Sequence, residues 1–128
     1  MTTPLDDERY VSLETFKKDG TAVRTPIWAA PLDDKLVVVT DGTSFKVKRI
    51  RNNGKIRAAA CDARGKNIHG AWYAGTARVL QDDAHCARAD AALKKKYGFQ
   101  YSVLGFFSRL SGRIKRRAYL EITLEKPN

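Results

Sequence analysis

Residues 40–51, Thr-Asp-Gly-Thr-Ser-Phe-Lys-Val-Lys-Arg-Ile-Arg, pass from a hydroxyl-bearing loop into a cation-rich run. Thr43 or Ser44 stands where a helix N-cap belongs, and Val47 and Ile50 have the spacing of an inward helical face. Free backbone N–H groups at a helix start, the hydroxyls of Thr43 and Ser44, and Lys46, Lys48 and Arg49 together make an anion site, with phosphate the usual guest. The same residues also make an ordinary capped helix with a solvated basic face. On the residues alone, both readings stand.

Nothing else in the chain offers comparable chemistry. No G-x-G-x-x-G, G-x-x-x-x-G-K-[ST], H-E-x-x-H or G-x-S-x-G occurs. His69 and His85 lack ligand partners at useful spacing, so no metal site is expected. Cys61 and Cys86 form neither a disulfide framework nor a paired ligand motif and read as small buried hydrophobes. Asp33-Asp34 and Asp82-Asp83 are turn and helix-start residues rather than an acid/base pair. No catalytic side chain is identified.

Charge narrows the choice of partner. The 128 residues carry 24 Lys and Arg against 14 Asp and Glu, a net charge of +10. The excess is concentrated. Residues 44–66 hold Lys46, Lys48, Arg49, Arg51, Lys55, Arg57, Arg64 and Lys66 against Asp62 alone. Residues 94–117 hold Lys94, Lys95, Lys96, Arg109, Arg113, Lys115, Arg116 and Arg117 against no acid. Two basic segments on a mildly acidic body point to a polyanionic partner. No run of about 18 apolar residues exists to span a bilayer, and the acidic N-terminus has no apolar signal core. A cytoplasmic protein with no membrane partner is expected.

The elements that position these residues read mostly as strands. Tyr10–Phe16 alternates with period 2, Asp19-Gly20 makes a hairpin turn, and Val23–Ala29 returns, with Pro26 marking an edge or a bulge. Leu36–Thr40 is a buried strand by its β-branched run. A helix over Phe45–Arg51 and strands over Ile56–Asp62 and Ile68–Leu80 follow, Gly75 marking a bulge or bend in the latter. Ala84–Tyr97 is a helix with acids at its start, lysines in its last turn and Gly98 as its stop. Val103, Phe106, Phe107 and Leu110 have helical spacing, and Ala118–Leu124 alternates as a closing strand. Six strands with few crossovers predict one antiparallel barrel over residues 1–128, with residues 1–8 loose.

Four segments carry a resemblance: Thr15-Phe16-Lys17-Lys18-Asp19-Gly20, Thr25-Pro26-Ile27-Trp28, Lys46-Val47-Lys48-Arg49-Ile50-Arg51-Asn52-Asn53 and Gly75-Thr76-Ala77-Arg78-Val79. In that order they resemble the pyridoxamine-phosphate-oxidase-like split barrels that bind flavin mononucleotide (FMN). More narrowly, they resemble the branch of deazaflavin (coenzyme F420)-dependent oxidoreductases. The resemblance spans residues 8–125 and implies a mainly β, six-stranded antiparallel split barrel. It also implies a homodimer with the cofactor at its interface. Carried over, Arg24, Thr25, Pro26 and Trp28 would line the ring. Thr40, Ser44, Lys46, Lys48 and Arg49 would hold the phosphate, with Arg64 for the tail. The chain ends without the substrate-phosphate-binding tail of true pyridoxamine phosphate oxidases, so that activity is not expected.

The resemblance implies hydride transfer between F420 and a small organic acceptor, or FMN chemistry on the same barrel. A cofactor carrier without turnover is a further reading. A nucleic-acid module, drawn from the net charge and from Tyr97, Tyr101 and Phe106 among the cations, is set behind these, so no nucleic-acid partner is expected.

Overall fold

The computed structural model describes residues 3–112 and 117–125, and the backbone alone for residues 107–109. In chain order the elements are β1 (Val11–Phe16), β2 (Ala22–Ile27), β3 (Ala29–Leu32), β4 (Lys35–Asp41) and α1 (Phe45–Asn52). Then come β5 (Lys55–Ala60), β6 (Tyr73–Val79), α2 (Asp83–Tyr97), α3 (Phe99–Leu110) and β7 (Arg117–Leu124). No helix among the described residues is long and apolar enough to cross a membrane.

All seven strands form one antiparallel sheet in the order β2-β1-β5-β6-β7-β4-β3. β2 and β3 are its two edges, yet Trp28 alone separates them in sequence. A one-residue link between opposite edges forces the sheet to curl on itself, which makes the expected split barrel. The strand count differs from six because Val23–Ala29 breaks at Trp28 into β2 and the start of β3. Pro26 lies opposite Ser12 in β2, an edge strand, where its missing N–H breaks no central ladder.

The barrel interior is filled by Leu13, Leu36, Val38, Ile56, Leu120 and Ile122, with Val47 and Ile50 of α1 closing one end. A fully buried side chain of this kind contributes about 1.5–3 kcal/mol. α2 packs Ala89, Leu93 and Tyr97, spaced four apart, over the outer face of β4 at Val37. That is why the run Leu36–Val39 is apolar on both faces. Asp82 caps α2 by accepting from His85 N at 3.0 Å, and Gly98 ends it at φ 57°.

Four expectations need correction. Thr3–Glu8 is not loose: Leu5 is buried in the core, Thr3 is tied to Asp6, and Lys96 Nζ donates to Glu8 O at 2.6 Å. Strand Ile68–Leu80 shortens to β6, because residues 62–72 fold as a loop pinned by the Cys61–Ile68 bridge. Gly75 keeps its register on both sides, opposite Ile56 and Leu124, so it is not a bulge. A Cβ there would lie 2.4 Å from Thr123 O, so glycine permits a close backbone approach. Among the described side chains of α3, Tyr101 is buried and Val103 half-buried, while Phe106 and Leu110 are 60% and 70% exposed. Of the second basic segment, Arg113, Lys115 and Arg116 lie outside the described residues.

The outer face of the β2-β1-β5 ribbon carries a charge cluster around the buried Glu14, with both of its arginines partly exposed. Glu14 lies opposite Arg24 on one side and Arg57 on the other. Its carboxylate accepts from Arg24 Nε at 2.8 Å and from Arg57 Nε at 2.6 Å. Trp72 covers both guanidinium groups, at 4.6 and 5.2 Å from its ring. The Arg57 hydrogen bond is the largest influence on Glu14; together with Arg24 it outweighs desolvation and holds the carboxyl below its ordinary 4.5.

A depressed carboxyl stabilises the folded state above its unfolded pKa, and that contribution disappears as pH falls through the folded value. Glu14→Gln is therefore expected to be less stable than wild type at neutral pH, with the gap shrinking steadily below pH 4.5 in urea titrations across pH. Gly75→Ala, which drives a Cβ into Thr123 O, is expected to lower stability by about 1–3 kcal/mol, read as a reduced urea midpoint.

Candidate functional site

The corner between β2 and β3 is held by α2. Trp28 stacks on Tyr97 with centroids 4.6 Å apart and planes 9° from parallel. Tyr97 OH accepts from Ala29 N at 2.9 Å and lies within hydrogen-bond reach of Arg9 O and Ala29 O. Burial pushes the phenol up to about 12, so it keeps its proton at neutral pH. Beside this pair opens a cavity of about 220 Å3 lined by Tyr10, Pro26, Trp28, Thr40, Lys46 and Leu104, among others. Four residues expected at the site, Pro26, Trp28, Thr40 and Lys46, thus meet around one cavity.

The start of α1 supplies its polar end. Lys46 is half-buried and donates from Nζ to Thr40 Oγ1 at 3.1 Å. Burial, followed by the field of Arg49, lowers its pKa from 10.5, with Asp41 opposing. Ser44 takes the N-cap position with extended backbone, but its side chain makes no capping bond, and Oγ is buried without a partner. Thr43 is already used, its N and Oγ1 both donating to Asp41 Oδ1 at 2.8 and 2.6 Å.

The remaining expected residues lie elsewhere. Lys48 and Arg49 face a second groove of about 280 Å3, together with Phe16, Lys17, Lys18, Phe45 and Asn52. Among the described residues its lining holds four cations and no carboxylate. Arg49 Nε also donates to the buried Thr15 hydroxyl at 2.7 Å. Arg24 does not reach the Trp28 cavity, because Glu14 and Trp72 hold it. Thr25 lies opposite Leu13 and so points to the barrel side of β2, its Oγ1 buried and unpartnered. Arg64 is exposed in the 62–67 turn, next to Ala63 of the cavity wall. Lys17 and Lys18 lie in the first segment of the resemblance, which assigns them no role, and only the fold brings them beside α1.

The residues present fit a phosphorylated cofactor. A buried hydroxyl with no partner at a helix N-cap, a half-buried lysine and a carboxylate-free groove are what an anionic group satisfies. The thiols of Cys61 and Cys86 are both raised by burial, which disfavours thiolate chemistry. Tyr97 and Tyr101 are each 4% exposed, so they offer no stacking platform for bases.

Solved structures of the same fold reach well below recognisable sequence identity. A conserved hypothetical protein from Mycobacterium tuberculosis superposes with a TM-score of 0.72 at 16% identity, covering 95% of this chain and 76% of that one. A heme storage protein from Vibrio cholerae gives 0.68 at 9% identity over 94% and 84% of the two chains. An FAD-binding protein from Mesorhizobium loti gives 0.62 at 22% identity over 95% and 85%. No curated protein matches in sequence. The family profile described as pyridoxamine 5'-phosphate oxidase matches residues 1–127, and the chain therefore belongs to that family.

Proposed function

We propose that the protein is an oxidoreductase that binds a deazaflavin of the F420 type and passes a hydride between it and a small organic acceptor. The observation carrying this reading is the groove beside α1, whose lining among the described residues holds Lys17, Lys18, Lys48 and Arg49 and no carboxylate. One dianionic phosphate needs fewer cations than this, whereas a cofactor with a phosphodiester and a polyanionic tail uses them all. The bound cofactor would supply the hydride-carrying ring; the chain contributes binding, orientation and exclusion of water. Pro26 and Trp28 would wall the ring, Ser44, Thr40 and Lys46 would take the phosphate, and Lys48 and Arg49 the tail.

Leu104, on the cavity wall, is 42% exposed, and Phe106, two residues further along α3, is 60% exposed. A second copy of the chain covering them would complete a cleft that one chain leaves shallow, in keeping with a homodimer. Flavin mononucleotide on the same barrel is the second reading, favoured by the FAD-binding relative of the same fold.

Fluorescence titration with F420 and, in parallel, FMN at two salt concentrations tests both. Tight binding of the deazaflavin that weakens with salt is expected, since exposed charges are screened over about 8 Å at physiological ionic strength. Preference for FMN would move the chemistry to flavin. Lys48→Ala with Arg49→Ala should cripple binding, but it also strips the buried Thr15 hydroxyl of its donor, a cost of about 1 kcal/mol. Lys17→Ala with Lys48→Ala avoids this, both lysines being exposed. It is expected to weaken F420 binding at least tenfold with an unchanged melting midpoint, and unchanged affinity would refute the groove assignment. Turnover of reduced F420 with an acceptor separates an enzyme from a carrier.

A further inference from the structure

Arg24 and Arg57 stand on either side of Glu14 on the outer face of the barrel. Neither lines the Trp28 cavity or the α1 groove. A guanidinium carries five N–H donors, and each of these gives only its Nε to the carboxylate. Arg24 reaches Oε2 and Arg57 reaches Oε1. Among the described residues no acceptor meets the Nη nitrogens of either arginine. The two side chains are 52% and 44% exposed, so a ligand can reach them from solvent.

Two neighbours fix where the guanidinium forks point. Glu14 is 1% exposed and sits on the central strand of the ribbon, so its carboxylate is a fixed post between the arginines. The Trp72 ring lies over both guanidinium groups, at 4.6 and 5.2 Å. A free surface arginine gives up rotamer freedom when it binds, whereas these two have given it up in the fold. Lys55, two residues before Arg57 in β5, adds an exposed cation on the same face.

We propose that Arg24 and Arg57 form a clamp for a phosphate monoester, each fork donating from its Nη nitrogens to the oxyanion. The donors make the choice. A carboxylate has two oxygens and is filled by one fork, whereas a monoester presents three terminal oxygens and can take both. Glu14 leaves this edge of each fork open, because it takes only Nε. The clamp uses none of the residues proposed to hold the deazaflavin and stands whether or not that reading does.

Trp28 and Trp72 are the only tryptophans of the chain, so in a Trp28→Phe background the emission reports the ring that covers the clamp. Titration with methyl phosphate, dimethyl phosphate and acetate at constant ionic strength tests the proposal. Methyl phosphate is expected to change the emission saturably. It should bind at least tenfold more weakly in Arg24→Lys with Arg57→Lys, where point charges still pair Glu14 but the forks are gone. Ala74→Glu decides the matter if that variant fails to fold. Ala74 is exposed and lies opposite Arg57, so a carboxylate there competes for Nη while every arginine contact stays in place. It too should cost at least tenfold in affinity. Lys17→Ala with Lys48→Ala should leave the affinity unchanged, and a tenfold loss there would move the phosphate to the α1 groove and overturn the clamp. No saturable response to methyl phosphate, or one that Ala74→Glu leaves intact, would also overturn it. Acetate or dimethyl phosphate binding as tightly as methyl phosphate would overturn the monoester assignment.

Discussion

A single residue, Trp28, joins the two edge strands of a seven-stranded sheet. Strands at opposite ends of a flat sheet of this width would stand several strand spacings of about 4.8 Å apart. One residue cannot span that distance, so the sheet has to close until β2 and β3 meet. The last turn of α2 then fixes the corner. Tyr97 stacks on the indole and bonds both backbone groups of Ala29, while Lys96 Nζ donates to Ala29 O at 2.5 Å and Glu8 O at 2.6 Å. Burial lowers the Lys96 pKa, with the field of the N-terminal acids opposing. The cavity beside Trp28 is therefore walled in part by a corner that α2 holds in place.

The net charge of +10 is a poor guide to where an anion binds, because much of it is spent internally. Arg24 and Arg57 are taken by Glu14, and Arg78 and Lys35 by Glu121. Arg88 pairs with Asp33. Lys96 serves as a backbone clamp. Among the described residues, Lys17, Lys18, Lys48 and Arg49 remain concentrated, brought together because the β1–β2 hairpin end lies beside α1. Two of the four come from a segment that contributes nothing to either basic run of the sequence.

The barrel was legible where periodicity and punctuation agree. The alternation of Val11–Phe16, the Asp19-Gly20 turn, the capped and lysine-ended α2, and the closing strand all stand as the residues indicate. The break at Trp28 was not legible, because Val23–Ala29 keeps its alternation while its hydrogen-bond partner changes from β1 to β4. Pro26 gave the right edge, but nothing local says that the next strand lies at the other edge. α3 misled for a related reason: Val103, Phe106 and Leu110 have core spacing, yet the helix turns Tyr101 inward and leaves much of that stripe in solvent. At the site, the helix start was legible in Thr43–Arg49. The commitment of Arg24 to Glu14 was not, since only cross-strand register sets it.

The same barrel carries a heme storage protein and an FAD-binding protein among its structural relatives. Chemistry on such a scaffold lies in what surrounds the closing corner and not in the strands that make it. Here the surroundings are two walls of different character. The α1 side gathers Lys17, Lys18, Lys48 and Arg49 along one groove, with no carboxylate among its described lining. The α3 side sets the largely buried Arg117 guanidinium beside the Tyr101 phenol and Asp90. Leu104 lines the Trp28 cavity and Gly105 the cavity beside Arg117, so adjacent residues of one helix face both. In a chain without a recognisable catalytic side chain, what such walls admit decides the chemistry, because a bound cofactor carries its own reactivity.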